Sequence, residues 1–237
     1  MAVVEWTLDE KVAVATLNDG ENRFNPDFLE SFMGVLDQIE KETNANVLVV
    51  TSSHKKIFSN GIDLDWLLPH VQKGDLETAK AFFYTMNRLF RRLLLYPMPT
   101  VCAISGHAFA GGAIMTCAFD FRFMRSDRGF FCFPEVDLGI PFLPGMIALI
   151  KKAIPQYKLE ELQFTGKRAT AEECEAYHII TKACHMDDLM NETLEFAKGL
   201  NKRREIISEM KKRMYKQIVY AFDVEDPLLI DSGQFNV

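Results

Sequence analysis

A chain of 237 residues, 48% of them hydrophobic and 25% charged, is expected to bury a full core as one large domain, or one domain with a small appendage, and not to be disordered. Its formal net charge of −6 argues against nucleic acid as a main partner, because gripping phosphates takes a basic surface. Five cysteines, Cys102, Cys117, Cys132, Cys174 and Cys184, with no C-x-x-C pair among them, read as reduced core residues in a cytosol-like, cytoplasmic setting and argue against a zinc site.

The opening MAVVEWTLDEKVAV lacks the charged leader and apolar core of a signal peptide, and no apolar run is long enough to span a membrane. Val3 to Leu8 and Val12 to Leu17 are β-rich runs around Asp9-Glu10-Lys11, which predicts a hairpin. NDGENRFN at 18–25 is turn chemistry. Pro26 then opens an amphipathic helix with Phe28, Leu29, Phe32, Val35, Leu36 and Ile39 at helical spacing. VLVVT at 47–51 has the continuous apolar pattern of a buried parallel strand. Ser59-Asn60-Gly61 marks a tight turn, and Asp63 is placed to cap a helix beginning at Leu64. Leu76 to Leu95 is a longer helix with Phe82, Phe83, Met86, Leu89, Phe90 and Leu93 on one face, stopped by Pro97 and Pro99.

The stretch from Val101 to Gly145 organises the rest. It opens with a buried strand, VCAI, turns at Ser105-Gly106, and sets Gly111-Gly112 at the head of the apolar segment AIMTCAF. Paired glycines there let a backbone N–H approach a ligand with no side chain in the way, where amides carry partial positive charge. A Walker A loop needs Lys and Ser/Thr after its second glycine, where Gly112 and Ala113 stand, and the dinucleotide fingerprint fails on spacing. Further on, Glu135 is a lone carboxylate among Phe130, Phe131, Phe133, Val136 and Leu138. Apolar burial raises a carboxyl's pKa and makes it a usable base near neutrality. The other acids have plainer roles: Asp137 faces away along an extended segment, Asp63 caps a helix, and Asp120 is a satisfied buried acid. His54, His70, His107, His178 and His185 have no ligand spacing, and His107 reads as packing.

After Gly145, short helices are expected at Met146 to Ile154, Tyr157 to Phe164 and from Thr170, which pairs with Glu173 as a capping box. Leu189 to Phe222 is mostly helical. Its basic run, Lys202, Arg203, Arg204, Lys211, Lys212, Arg213 and Lys216 against Glu205 and Glu209, reads as a solvated helix face. Strand and helix alternate from Ala13 to Phe133, giving an α/β fold with a mainly parallel sheet. Residues 1–188 are expected to form the core that carries the site, and residues 189–237 a helical region.

K-I-F-S-N-G-I-D-L at 56–64, S-G-H-A-x-A-G-G at 105–112, D-F-R-F at 120–123 and F-P-E-V-D-L-G-I-P at 133–141 stand in an order and at spacings that resemble the crotonase superfamily of enoyl-CoA hydratases and isomerases. The resemblance runs from about Val3 to Tyr177. It implies a crotonase-like spiral of ββα units with a helical C-terminal region, usually assembled as a homotrimer or a dimer of trimers, whose C-terminal helices build an interface or cover a neighbouring site. It also implies an acyl-CoA substrate held through its thioester oxygen by the backbone N–H groups of Ile62 and Gly111. Preorganised donors of this kind stabilise the enolate formed when a proton leaves the carbon next to a thioester.

Hydratases of the family resemble one another in having two glutamates. Here the first position is Ile114 and the second is Glu135, which implies a Δ3,Δ2-enoyl-CoA isomerase with Glu135 moving a proton from C2 to C4. The E-V-D-L-G-I-P wording and His107 look like the plant peroxisomal isomerases, although the terminal Gln-Phe-Asn-Val is not a peroxisomal address. Lys56 and Arg23 are the candidates to meet the phosphates of coenzyme A. Phe109, Ile114, Phe133, Phe142 and Leu143 are candidate walls of the acyl pocket and equally good core residues. No metal or redox cofactor is implied, coenzyme A being part of the substrate. The alternatives are a hydratase or other crotonase-type lyase working through Glu135 and a water, and a non-catalytic acyl-CoA-binding protein.

Overall fold

The computed structural model describes residues 2–233, so the terminal Gln234 to Val237 considered above lie outside the described residues. β1 (Val4–Asp9) and β2 (Val12–Leu17) pair as the expected antiparallel hairpin, Val4 opposite Leu17. After the short β3 (Arg23–Phe24), Asn25 caps α1 (Pro26–Glu42) by accepting the Phe28 N–H. The face α1 buries is the six-residue apolar face read from its spacing. Then come β4 (Val47–Ser52), β5 (Ile57–Ser59), β6 (Gly61–Ile62), α2 (Leu64–Gln72) and α3 (Leu76–Leu94). β7 (Thr100–Ile104), β8 (His107–Phe109), α4 (Gly111–Ala118), β9 (Phe121–Arg125) and β10 (Phe131–Cys132) follow, then α5 (Glu135–Leu138), α6 (Pro144–Ala153), α7 (Gln156–Thr165), α8 (Ala171–Ala176) and β11 (Lys182–Cys184). The chain closes with α9 (Met186–Gly199), α10 (Arg204–Met214), α11 (Lys216–Tyr220), a π-helical turn at Ala221–Glu225 and α12 (Asp226–Ser232).

The long strands form one sheet in the order β1-β2-β4-β7-β9-β11, parallel beyond the hairpin. β4 is followed by two short strands, and β7 and β9 by one each, before the next helix. The short strands make two small parallel sheets, β10-β8-β5 and β3-β6. This repeat is the ββα spiral.

Strand periodicity sorts the core into two layers. Leu48, Val50, Cys102 and Ile104 join the cluster built on α1 and α3, while Val47, Val49, Val101 and Ala103 join a second cluster with Phe123 and Leu189. The second is roofed by α9, whose Phe196 meets Phe121 with ring centroids 4.9 Å apart. No helix among the described residues is long and apolar enough to cross a membrane.

The basic C-terminal run corrects one expectation. Lys212 and Arg213 are exposed, as a solvated face requires, but Lys211 is buried against the Asp120 carboxylate at 2.6 Å and donates to the Met98 carbonyl. Arg204 turns its guanidinium onto the carbonyls of Glu40, Thr43 and Ala45, at and just beyond the C-terminus of α1. Carbonyls at a helix end have no intrahelical donor and attract cations, so these two residues dock α10 on the spiral. Asp120 is thereby the satisfied acid expected, accepting also from the Thr100 N–H and hydroxyl.

Two glycines separate backbone need from helix propensity. At Gly34, exposed within α1, an added side chain meets nothing within 4 Å, whereas at Gly112 it would stand 2.3 Å from the Ser59 carbonyl oxygen. In urea unfolding, Gly34→Ala should stabilise the protein by about 0.5–1 kcal/mol. Gly112→Ala should destabilise it by about 3 kcal/mol or leave it unfolded, since backbone cannot yield as a side-chain tip does.

Candidate active site

Two backbone turns meet at the heart of the site. A side chain on Gly61, which has φ of 75°, would lie 2.5 Å from the Gly111 nitrogen. Only the absence of that side chain lets the end of β5–β6 pass the start of α4. The turn is pinned from beneath by a buried polar network. Asn22 donates to the Ser52 hydroxyl and the Phe58 carbonyl, and the Ser59 hydroxyl donates to the Asn22 carbonyl while accepting the Gly61 N–H. Asn22 is fully buried with φ of 50°, a conformation Asn tolerates better than most residues.

Both amides at this contact are oriented by their elements. In the parallel β3–β6 pair Phe24 faces Ile62, and the Asp63 N–H donates to the Phe24 carbonyl at 3.0 Å. A residue opposed in this way directs its own N–H away from the partner strand, so the Ile62 amide points away from β3. Gly111 is the first residue of α4, where an N–H has no intrahelical acceptor, and no side chain caps it. Its orientation is set by Ala110, held at φ 52° and ψ −131°, a strained conformation for a residue with a side chain.

All eight residues of α4 are buried, so its dipole is poorly screened. At its far end Lys152 donates to the carbonyls of Cys117 and Phe119, and Arg122 to those of Thr116 and Phe119. Burial, aided by Arg122, pulls the Lys152 ammonium down to about 7. The negative pole of the helix is thus covered by the Arg122 guanidinium and by N–H donors of Lys152, while the positive pole opens at Gly111. A lone Arg inside the apolar run FRFM was the available sequence signal for this cap; Lys152 gave none.

Glu135 opens α5. The sequence suggested an extended segment here, but Glu135 to Leu138 is a single helical turn ended by Gly139 at φ 71°, with the Ile140 N–H returning to the Glu135 carbonyl. Asp137 still faces away from Glu135, because two positions along a helix lie on opposite faces. The Glu135 side chain is 8% exposed, and its Oε2 has no hydrogen-bond partner. Burial pushes its carboxyl up to about 8.

Ile62, Gly111 and Glu135 line one cavity of about 290 Å³. The acyl-pocket candidates Phe109, Ile114, Phe142 and Leu143 line it together with Arg23, joined by Phe83 and Met86, read from sequence as a helix face, and by Met146, read only as the start of a helix. A cavity-facing apolar stripe and a core-facing one have the same spacing, so no sequence signal separates them. Phe83, Met86, Ile114, Leu143 and Met146 are buried and form the deep end, whereas Leu138, 55% exposed, stands at the mouth.

Two expected site residues lie elsewhere. Phe133 is fully buried one layer back, edge-on to Phe131 and Phe142, and is absent from the wall of this cavity. Lys56 is exposed and outside the lining; its carbonyl accepts the His107 N–H. Arg23 sits at the mouth but is engaged by Glu21 and Asp65 at 2.8 and 2.9 Å, with Asp63 at 3.9 Å. Asp63 caps α2 as expected. His107 packs against Phe109 and Phe130, its pKa lowered by burial and by Arg168 and Arg128. No cluster of three or more His, Cys, Asp or Glu that could hold a metal ion occurs among the described residues. Ile62 and Gly111 thus line the same apolar cavity as a carboxylate whose Oε2 has no hydrogen-bond partner, a combination with the chemistry to suit proton abstraction next to a carbonyl.

The sequence profile described as enoyl-CoA hydratase/isomerase matches residues 7–224. Enoyl-CoA delta isomerase 3 of Arabidopsis thaliana is 29% identical over 212 residues, 87% of this chain and 89% of the relative. The short-chain-enoyl-CoA hydratase of Clostridium acetobutylicum is 26% identical over 227 residues, 95% of this chain and 85% of the relative. The crystal structure of an enoyl-CoA hydratase/isomerase family protein from Pseudomonas syringae superimposes with a TM-score of 0.87 at 26% identity, covering 97% of each chain.

The buried carboxyl has a measurable signature. A group whose pKa is raised in the folded state stabilises the fold below its unfolded pKa, and that contribution is lost as pH rises through the folded value. For Glu135 the window runs from 4.5 to about 8. Relative to Glu135→Gln, the native protein should lose about 3–5 kcal/mol of unfolding free energy across that window, read from urea midpoints at successive pH values.

Proposed function

The chain belongs to the enoyl-CoA hydratase/isomerase family, and within that family we propose that it is a Δ3,Δ2-enoyl-CoA isomerase. The observation that carries this reading is that Glu135 is the only carboxylate lining the cavity among the described residues. Isomerisation needs one base used twice. The Glu135 carboxylate removes a proton from C2 of a 3-enoyl thioester, the electrons delocalise to the thioester oxygen, and the same carboxyl returns the proton to C4 as the double bond moves to C2–C3. The thioester oxygen accepts hydrogen bonds from the Ile62 and Gly111 amides, which stabilise the dienolate.

Water addition needs a second group to hold and activate water, and Ile114 supplies none. The apolar lining also disfavours a bound water, which requires several polar partners. Lys56, which is exposed, is the cation proposed to meet coenzyme A phosphates. Arg23 organises the mouth, its charge already offset by Glu21 and Asp65.

Assembly as a homotrimer is part of the same proposal, with residues 189–237 supplying contacts. It is supported by an exposed apolar row on α10, Ile206, Met210 and Met214, at i, i+4 and i+8, continued by Tyr220, Val224 and Leu228.

Purified protein should convert a 3-enoyl-CoA to its 2-enoyl isomer. Glu135→Gln should lower kcat by about 10³-fold while leaving acyl-CoA affinity largely intact. In the native protein kcat/KM should climb about tenfold per pH unit and level off above the Glu135 pKa. Water addition to a 2-enoyl-CoA without isomerisation would favour the hydratase reading instead. Met210→Asp paired with Met214→Asp should reduce the sedimentation mass to that of a single chain; an unchanged mass would remove the α10 row from the interface.

A further inference from the structure

Behind the cavity wall, outside its lining, stands a carboxylate that the chemistry above does not use. Asp226, at the start of α12, is fully buried. Its Oδ1 accepts the Gly145 N–H at 2.7 Å, and its Oδ2 accepts the Asn87 Nδ2 at 2.7 Å. Asn87 lies on α3 next to Met86, and Gly145 lies on α6 next to Met146. Those two methionines line the deep end. One carboxylate therefore ties together the two helices that close the cavity, each at the residue adjoining a wall side chain.

The tie is built for this place. Gly145 is in the first turn of α6, where N–H groups lack intrahelical acceptors and the helix dipole favours an anion. A side chain on Gly145 would lie 2.4 Å from Phe222 and 2.6 Å from the Asp226 carboxylate, so the approach requires glycine. Along α3 the same C-terminal segment is gripped one turn to either side, by Tyr84 donating to Asp231 and by Arg91 paired with Asp223. Burial raises the Asp226 carboxyl to about 6, which leaves it ionised at neutral pH and its two hydrogen bonds charge-assisted.

We infer that Asp226 is a positioning residue that fixes the separation of α3 and α6, hence the depth of the cavity and the acyl-chain length it accepts. This rests on the acyl-CoA reading of the site.

The test compares native protein, Asp226→Asn, Asp226→Ala and Asn87→Ala. Two ladders are measured: dissociation constants for saturated acyl-CoA thioesters from butanoyl to tetradecanoyl, and kcat/KM for 3-enoyl-CoA substrates of increasing length. Asp226→Ala should raise affinity for the longest thioester relative to butanoyl-CoA by about tenfold, the worth of roughly two further buried methylenes. Asp226→Asn keeps an acceptor for the Gly145 N–H and, with the Asn87 amide turned so that its otherwise unpartnered Oδ1 accepts from the new amide, keeps both arms, and should stay within about threefold of native protein. Asn87→Ala removes one arm of the tie and should shift the ladder in the same direction, which keeps the test decisive if Asp226→Ala does not fold. An unchanged ladder in a folded variant, or an equal loss at every length, would overturn the inference. Binding of saturated thioesters needs no turnover, so a shifted binding ladder without isomerisation would sink the isomerase reading and leave the role of Asp226 standing.

Discussion

The close passage of two backbones at Gly61 and Gly111 is the constraint on which the site depends. Hydrogen-bond donors for a developing oxyanion must be preorganised, since donors that reorient during the reaction lose much of their effect. On the proposed reaction, that preorganisation would come from contact: the first residue of a buried helix rests against a glycine turn whose other side is locked by Asn22 and Ser59. Neither turn could hold its amide alone. The cost appears as strain at Ala110, and Arg122 and Lys152 satisfy carbonyls at the far end of α4.

Glu135 is the opposite case, a group kept poorly satisfied. A buried carboxyl oxygen without a partner is destabilising, yet a hydrogen bond to it would stabilise its charge and lower its pKa, weakening it as a base. The single turn of α5 resolves this locally: the backbone of Glu135 closes onto Ile140 and its side chain is left to an apolar cavity. Stability is given up at the position that, on the proposed reaction, needs a carboxylate of raised basicity.

The C-terminal helices answer for much of the rigidity behind that cavity. Arg204 holds α10 to the end of α1, Lys211 holds it to Asp120, and Asp226 joins α12 to α3 and α6. Each is a charged side chain meeting buried or partly buried polar groups, so removing one leaves partners unsatisfied rather than merely losing a contact. This part of the chain looks least distinctive as sequence, and it carries several of the tertiary ties that shape the site from behind.

The sequence by itself determined whatever depends on spacing over a few residues. The apolar faces of α1 and α3, the two-sided pattern of β4 and β7, the cap at Asp63, and the glycine motifs all follow from periodicity and turn chemistry acting locally. Motif order was enough to suggest the ββα spiral. What only the tertiary structure decided is which of these local features converge. The sequence marked Phe133 and Phe142 alike, but packing put one in the core and the other on the cavity wall. Met86 and Met146, more than fifty positions apart, became neighbours of one cavity, and Lys211 and Asp226 left an otherwise solvated charge pattern to be buried. Burial and convergence arise from contacts between residues remote in the chain, and those contacts form only when the helices and sheets pack.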